Sequence, residues 1–458
     1  PPPPPPLFFS THTTEYPISA CLVGSEMCIR DSDKIDKKLF IQNRIELSKH
    51  LEKNSVAILN SNDIMPTNSD GTFKFKQNSD LFYLSGIDQE ETIFLFYPDS
   101  EELRFKEILF IKKTNDLIKI WEGEKLSKKN ASEISGISSV YWLDDFDKIF
   151  EIISNKLNKV YLNTNEHLRA KLEVQTRDDR FKLKIQDTYV NLKYLRLAPI
   201  MHKIRSIKSS IEVELISKAC NITKNSFKKI LKFVKPNIYE YEIEAEIISY
   251  FTCNKSNGFA YQPIIASGSN SCILHYISNN QRCKNGDIIL MDFGAEYANY
   301  CSDMTRCIPA NGRFSQRQKE IYLAVLNVLN ISSQLLKPGI LLKDYHEKVG
   351  KIMEKELLEL NLITKKDILN QDSKNPAYKK YFMHGASHFL GLDVHDVGLW
   401  DEPIKSGMVF TCEPGIYVRN ENIGIRLENN YLVTDKKTIN LMQDIPIEIE
   451  EIENIMNS

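Results

Sequence analysis

Along this chain the apolar positions change their period in a way that marks two regions. From Asp33 to about Leu197, short β-branched or aromatic runs alternate with stretches of helical spacing. VAIL at 56–59, TIFLFY at 92–97, EILFI at 107–111 and VYLN at 160–163 read as strands. Lys34 to Lys53 and Asp144 to about Leu157 read as helices. Strands alternating with helices predict an α/β domain over 33–197, and the segment around Ala198-Pro199 reads as the link to a second region.

That second region, 203–458, opens on Ser209-Ser210-Ile211-Glu212, whose Ser-x-x-Glu spacing lets each side chain satisfy the other's backbone donor. An amphipathic helix is expected from there to about Val234, and a second from Tyr239 to about Cys253. Two strand-like runs come next, DIILMDFGAEY and YCSDMTRCIP. The same order then recurs: helices over Ser315 to Leu336 and Leu342 to about Leu360, then MVFTCEPGIYV and IGIRLENNYLV. A repeat of helix, helix, hairpin predicts two related halves in one domain.

Composition narrows the partners. Charged residues make up 26% and nearly cancel, leaving a net charge of −2, so nothing argues for nucleic acid or an anionic membrane surface. No apolar run approaches the roughly 20 residues that span a bilayer. Residues 1–32 are unlike the rest: a hexaproline start leads into a stretch in which Cys21 to Asp31 is the translation of a widely used transposase sequencing adapter. They are expected to be non-native and disordered, the alternative being a Pro-rich leader or divergent signal peptide, so localisation is not read from this end. Setting aside Cys21 and Cys28 leaves seven of the nine cysteines, an odd number with no CxxC pair, which suits free thiols in a reducing cytoplasm.

Two acids sit on each hairpin, and MDFG, FTCEPG and IRLEN embed theirs in apolar runs where a carboxylate is seldom buried without a partner. Asp292 and Asp303 are equidistant from a turn near Tyr297-Ala298, so in a simple antiparallel register they would face each other. Glu413 and Glu428 are equidistant from a turn near Asn420-Glu421. If the hairpins pack side by side, four carboxylates converge, and a cation would relieve their repulsion. His388 adds one imidazole to four hard oxygens, a donor set that suits Mn, Co, Fe or Zn better than Mg or Ca.

At these residues the chain resembles the pita-bread metallopeptidases and, within them, the proline aminopeptidases (aminopeptidase P). The resemblance rests on SDLFYLSGI at 79–87, SGSNSCILHY at 267–276, MDFGAEYANYCSDMTR at 291–306, HGASHFLGLDVHDVG at 384–398, FTCEPGIY at 410–417 and GIRLENN at 424–430. It implies a creatinase-like N-terminal α/β domain, a pita-bread catalytic domain and, for the whole, an α/β (α+β) class. It also implies removal of the residue preceding proline at a peptide N-terminus through a hydroxide bridging two divalent metals, Mn2+ first, with Co2+, Fe2+ or Zn2+ as alternatives. Asp292 would bind one metal, Asp303 and Glu428 would bridge both, and His388 and Glu413 would complete the second.

The same resemblance makes Glu413 the general base and proton shuttle. His395 becomes a donor to the developing oxyanion, and His275 a group that orients substrate. Tyr261, His384 and Arg426 become the lining of the proline pocket, and these three histidines stand out in a chain with only nine. Close relatives carry Trp at the position of Phe82, a place expected to reach a neighbouring subunit, and a homo-oligomer, dimer or tetramer, is expected. A prolidase, cutting only Xaa-Pro dipeptides with the same metals, is the nearest alternative. A methionine aminopeptidase needs no separate domain of the size seen before residue 200, while creatinase-like hydrolases and non-catalytic pita-bread binders lack the ligand set present here.

Overall fold

The computed structural model describes residues 32–170, 173–372 and 374–458. The expectation for the N-terminal segment therefore lies outside the described residues, apart from Ser32. That residue is tied in: its hydroxyl accepts from Ala298 N at 2.9 Å.

Residues 55–196 build a six-stranded mixed sheet in the spatial order Ser139–Trp142, Glu107–Ile111, Ile93–Phe96, Ser55–Asn60, Lys159–Leu162, Lys193–Arg196. The three strands from Glu107–Ile111 to Ser55–Asn60 pair antiparallel, and the outer pairings are parallel. Its central strands are buried throughout because helices cover both faces. Val56, Ile58, Leu95 and Phe110 meet Phe146 and Phe150 of the helix Phe146–Ser154. Ala57, Leu59, Phe94 and Phe96 face the other way, into a core continuous with the second region.

One departure from the pattern reading has a physical cause. Ala198-Pro199 is not a linker but the first turn of the helix Ala198–Ser206, where the N–H that proline lacks would have had no helical partner. SDLFYLSG forms the helix Ser79–Ser85, capped by the Asn78 side chain, which accepts from Asp80 N and Leu81 N. This helix buries Phe82, 5% exposed and edge-on to Phe40, so within the single chain its ring faces the core rather than the surface where contact with a neighbouring subunit was expected.

In the second region the repeat is present. Ser210–Phe233 starts at the expected box, with Ser209 N donating to Glu212 Oε2 at 2.8 Å, and Glu240–Cys253 comes after it. Gln316–Ser333 and Leu342–Glu359 are their counterparts. Each pair leads to an interrupted hairpin. In the first, Ile288–Asp292 pairs with Thr305–Pro309, and Ala295–Tyr297 with Tyr300–Cys301. In the second, Val409–Cys412 pairs with Asn429–Val433, and Gly415–Val418 with Ile423–Arg426.

The second register is the expected one, since Gly415 faces Arg426 and the same frame aligns Glu413 with Glu428. The first is not: Asp292 faces Thr305 rather than Asp303. Its turn is Ala298-Asn299, both left-handed with φ of 51° and 66°, one residue later than expected. Moving a turn by one residue slides the partner strand by two, which preserves the face, so both aspartates still point the same way. Among the described residues no helix is long and apolar enough to cross a membrane.

Candidate metal centre

All four acids stand where the hairpin ladders break. Asp292 ends its strand, Asp303 lies between Tyr300–Cys301 and Thr305–Pro309, and Glu413 and Glu428 lie in the gaps of the second hairpin. Freed from ladder geometry, their side chains converge. The break at Asp303 is held by Asn430, whose amide receives Asp303 N at 3.0 Å and donates to Asp303 O at 2.7 Å. Gly294 faces this break, and a Cβ there would lie 1.8 Å from Ser302 O, so only glycine fits. Glu428 N donates to Thr305 O at 3.1 Å, joining the two hairpins at the centre.

His388 comes from a segment running beside Val409–Cys412, where Thr411 N donates to His388 O and Glu413 N to Ala386 O, each at 3.0 Å. Its Nδ1 lies 2.9 Å from the Phe389 carbonyl, which can only accept, so Nδ1 carries the proton and Nε2 faces the acids. From Nε2 the distances are 3.3 Å to Asp303 Oδ2, 3.7 Å to Glu413 Oε1 and 4.0 Å to Glu428 Oε1. Asp303, His388 and Glu428 each offer a ligand atom within 4.8 Å of the others'. Asp292 lies outside that trio, with Arg426 NH2 at 2.5 Å from its Oδ2.

Charge in this cluster is unbalanced. Four carboxylates face Arg426 and one imidazole, and Glu428 Oε1 is buried with no hydrogen-bond partner. The Tyr261 hydroxyl sits 2.5 Å from both Asp292 Oδ1 and Asp303 Oδ1, yet it has one proton to donate. Burial, with Asp303 and Glu413 beside it, drives the Glu428 carboxyl well above the ordinary range. Burial also pushes Glu413 up to about 7, against the pull of His388 and Arg426. Asp292 is raised mainly by burial, with Arg426 opposing. For Asp303, burial works upward, but His388 in its charged form, together with the Tyr261 hydroxyl and His395, outweighs it and lowers the carboxyl. The orphaned oxygen, the bare Nε2 and the excess of acid all fit divalent cations among these donors.

Around the cluster the remaining residues form relays. Arg426 Nε donates to Thr305 Oγ1 at 3.0 Å, and Thr305 donates on to Glu428 Oε2 at 2.8 Å. Arg426 NH1 donates to the Tyr417 hydroxyl at 2.9 Å, and that hydroxyl lies 2.8 Å from His384 Nε2. His384 Nδ1 is 2.8 Å from the Gly385 carbonyl and 3.7 Å from Glu413 Oε2. Burial, and then Arg426, hold this imidazole neutral by lowering it to about 3. His275 is exposed, close enough to His384 to weigh on its titration. Tyr261 spends its hydroxyl on the acids, which leaves only its ring for a substrate pocket.

His395 lies at the rim, its ring 4.2 Å from that of His388. Arg169 NH1 lies 2.7 Å from its Nδ1 and 3.2 Å from its Nε2, and the shorter contact puts the accepting lone pair on Nδ1 and the ring proton on Nε2. Burial, followed by His388 and Arg169, lowers it to about 3, so it is a neutral donor. Arg169, Thr305, Tyr417 and Asn430 are site residues that the sequence reading does not single out. The observed register exposes two of them: Thr305 faces Asp292, and Tyr417 lies two pairs from Arg426 across the strands, on the same face.

Two family profiles match the chain: metallopeptidase family M24 over residues 214–435, and the aminopeptidase P N-terminal domain over 40–161. An Xaa-Pro aminopeptidase of Haemophilus influenzae is 33% identical over 93% of this chain and 98% of its own length. One from Escherichia coli is 30% identical over 92% of this chain and 98% of its own length. Among solved structures, Pseudomonas aeruginosa aminopeptidase PepP superposes with a TM-score of 0.84 at 28% identity, covering 93% of this chain and 98% of that one. Zinc-substituted E. coli aminopeptidase P in complex with product gives 0.82 at 29% identity, covering 93% and 99%.

Proposed function

The chain belongs to the Xaa-Pro aminopeptidases of metallopeptidase family M24, and from that premise we propose that it hydrolyses the bond between an N-terminal residue and a following proline. The observation that carries this reading is the buried acid cluster around His388 Nε2, with its unpartnered Glu428 oxygen. Asp292, Asp303, His388, Glu413 and Glu428 would hold two divalent cations. Four oxygens and one nitrogen favour Mn2+, with Co2+, Fe2+ and Zn2+ as alternatives. Such ions supply Lewis acidity and lower the pKa of water.

Glu413 serves as general base and proton shuttle: its Oε2 faces His384 on the open side of the cluster, so a proton taken there can be passed to a leaving nitrogen. His395, neutral with a proton on Nε2, donates to the oxygen on which charge develops. His275, exposed beside His384, orients substrate. An Xaa-Pro bond has no N–H to grip, so recognition must come from the ring. The ring of Tyr261, with His384 and Arg426 held by Tyr417, offers that pocket.

A prolidase is the alternative and is not better supported, because the relatives matched over nearly the whole chain are aminopeptidases. The division into 33–197 and 203–458, a homo-oligomer and a cytoplasmic site belong to the same reading. Exposed Leu117, Ile120 and Trp121 favour assembly, and the free thiols favour a reducing compartment. The deciding experiment compares an Xaa-Pro dipeptide with an Xaa-Pro-Xaa tripeptide on Mn2+-loaded protein. Release of the first residue from the tripeptide is expected, and cleavage of the dipeptide alone would replace this reading with the prolidase.

A further inference from the structure

The segment Gly391–Val397, which presents His395, lies in no helix or strand. Two acids flank His395, and both turn inward to one guanidinium. Arg205 NH2 lies 2.8 Å from Asp393 Oδ2 and 2.5 Å from Asp396 Oδ1. Its NH1 reaches Asp80 Oδ1 at 2.8 Å, on the N-terminal helix Ser79–Ser85. The second oxygens are also taken: Lys208 Nζ lies 2.8 Å from Asp396 Oδ2, and the Ser79 hydroxyl 2.9 Å from Asp393 Oδ1. Gly391 leaves room for this, since a Cβ there would lie 2.1 Å from Asp396 Oδ2.

Arg205 is 3% exposed. Gathering three carboxylates around two buried cations is a poor route to stability, because desolvation offsets most of the attraction. What it does achieve is a fixed position for a loop that has no ladder of its own. We propose that Arg205 is a positioning residue for the hydrolysis. Through Asp393 and Asp396 it sets the approach of His395, and through Asp80 it makes the N-terminal domain part of that support. The proposal rests on the oxyanion-donor reading of His395.

The test measures kcat, KM, bound metal and melting temperature for His395→Ala, Arg205→Lys, Asp393→Asn and the double variants with His395→Ala. Arg205→Lys removes the fork that spans two partners. Asp393→Asn alters a half-exposed carboxylate, so it keeps the test open if the arginine variant folds poorly. Each should lower kcat roughly ten- to a hundredfold, with KM and metal content unchanged, and neither should cost more in the His395→Ala background. Glu107→Gln, which breaks the buried Arg44 pair at 3.0 Å in the N-terminal domain, should lower melting temperature and leave kcat alone. Losses that multiply with that of His395→Ala, or normal kcat in both single variants, overturn the proposal. Normal turnover in His395→Ala itself overturns the oxyanion reading, and the proposal with it.

Discussion

The two hairpins are the same unit used twice, yet they bring their acids to the centre differently. In each hairpin a single frame runs through both strand pairs, and in the second that frame sets Glu413 opposite Glu428. In the first, a left-handed Ala298-Asn299 turn sets a frame in which Thr305 faces Asp292, and Asp303 reaches the cluster only because the strand is interrupted beside Gly294. Convergence therefore does not depend on opposed pairs. It depends on placing a ladder break at the same depth in each hairpin and on keeping side-chain parity, which a slip of two residues preserves.

The sharpest way to break this comparison is to remove one acid from each half. Asp303→Asn and Glu428→Gln should each abolish most activity and weaken metal binding by a similar factor, read by kinetics and elemental mass spectrometry. Full metal content with normal turnover in either one would make the halves unequal. Next in size is Gly294→Ala, at a position more tightly confined than Gly415 of the second hairpin, where the nearest backbone atom to an added Cβ lies at 3.1 Å. The Cβ clash with Ser302 O should cost about 1–3 kcal/mol in denaturant unfolding and displace Asp303 enough to lower metal affinity.

The pattern of apolar positions foretold the central strands and the four long helices of the second region, because those elements bury whole stripes or runs. It missed Ser139–Trp142 and Lys193–Arg196, short edge strands whose polar ends resemble turns. The acids stood out because carboxylates in apolar runs are unusual, while their roles as ligands, and that of His388, came from the family resemblance. Arg169 did not stand out, since it reaches His395 from 226 residues away with no local signal. The Ala298-Asn299 turn escaped for a related reason: alanine seldom adopts positive φ, and here the turn imposes it.

A smaller effect separates the charge states. Glu413, raised to about 7 from an ordinary 4.5, binds its proton more tightly in the folded protein than in the unfolded one. Metal-free protein should therefore lose stability as pH rises from 4.5 towards 7, and added Mn2+ should reverse that loss. Melting temperature against pH, with and without metal, checks the sign. Smallest of all is removal of residues 1–31. The first hairpin's turn is tied to Ser32 and to Asp33, whose Oδ2 lies 2.9 Å from the Tyr297 hydroxyl, so both contacts survive and neither melting temperature nor activity should change.

The most direct measurement is a titration of metal-free protein with Mn2+, following bound ions per chain together with release of the first residue from an Xaa-Pro-Xaa peptide. Two ions per chain, with turnover appearing only as they bind and absent in Asp303→Asn, is the expected result. Turnover without added metal in chelator-treated protein, or wild-type turnover in Asp303→Asn, would contradict the assignment of the acid cluster as the catalytic centre.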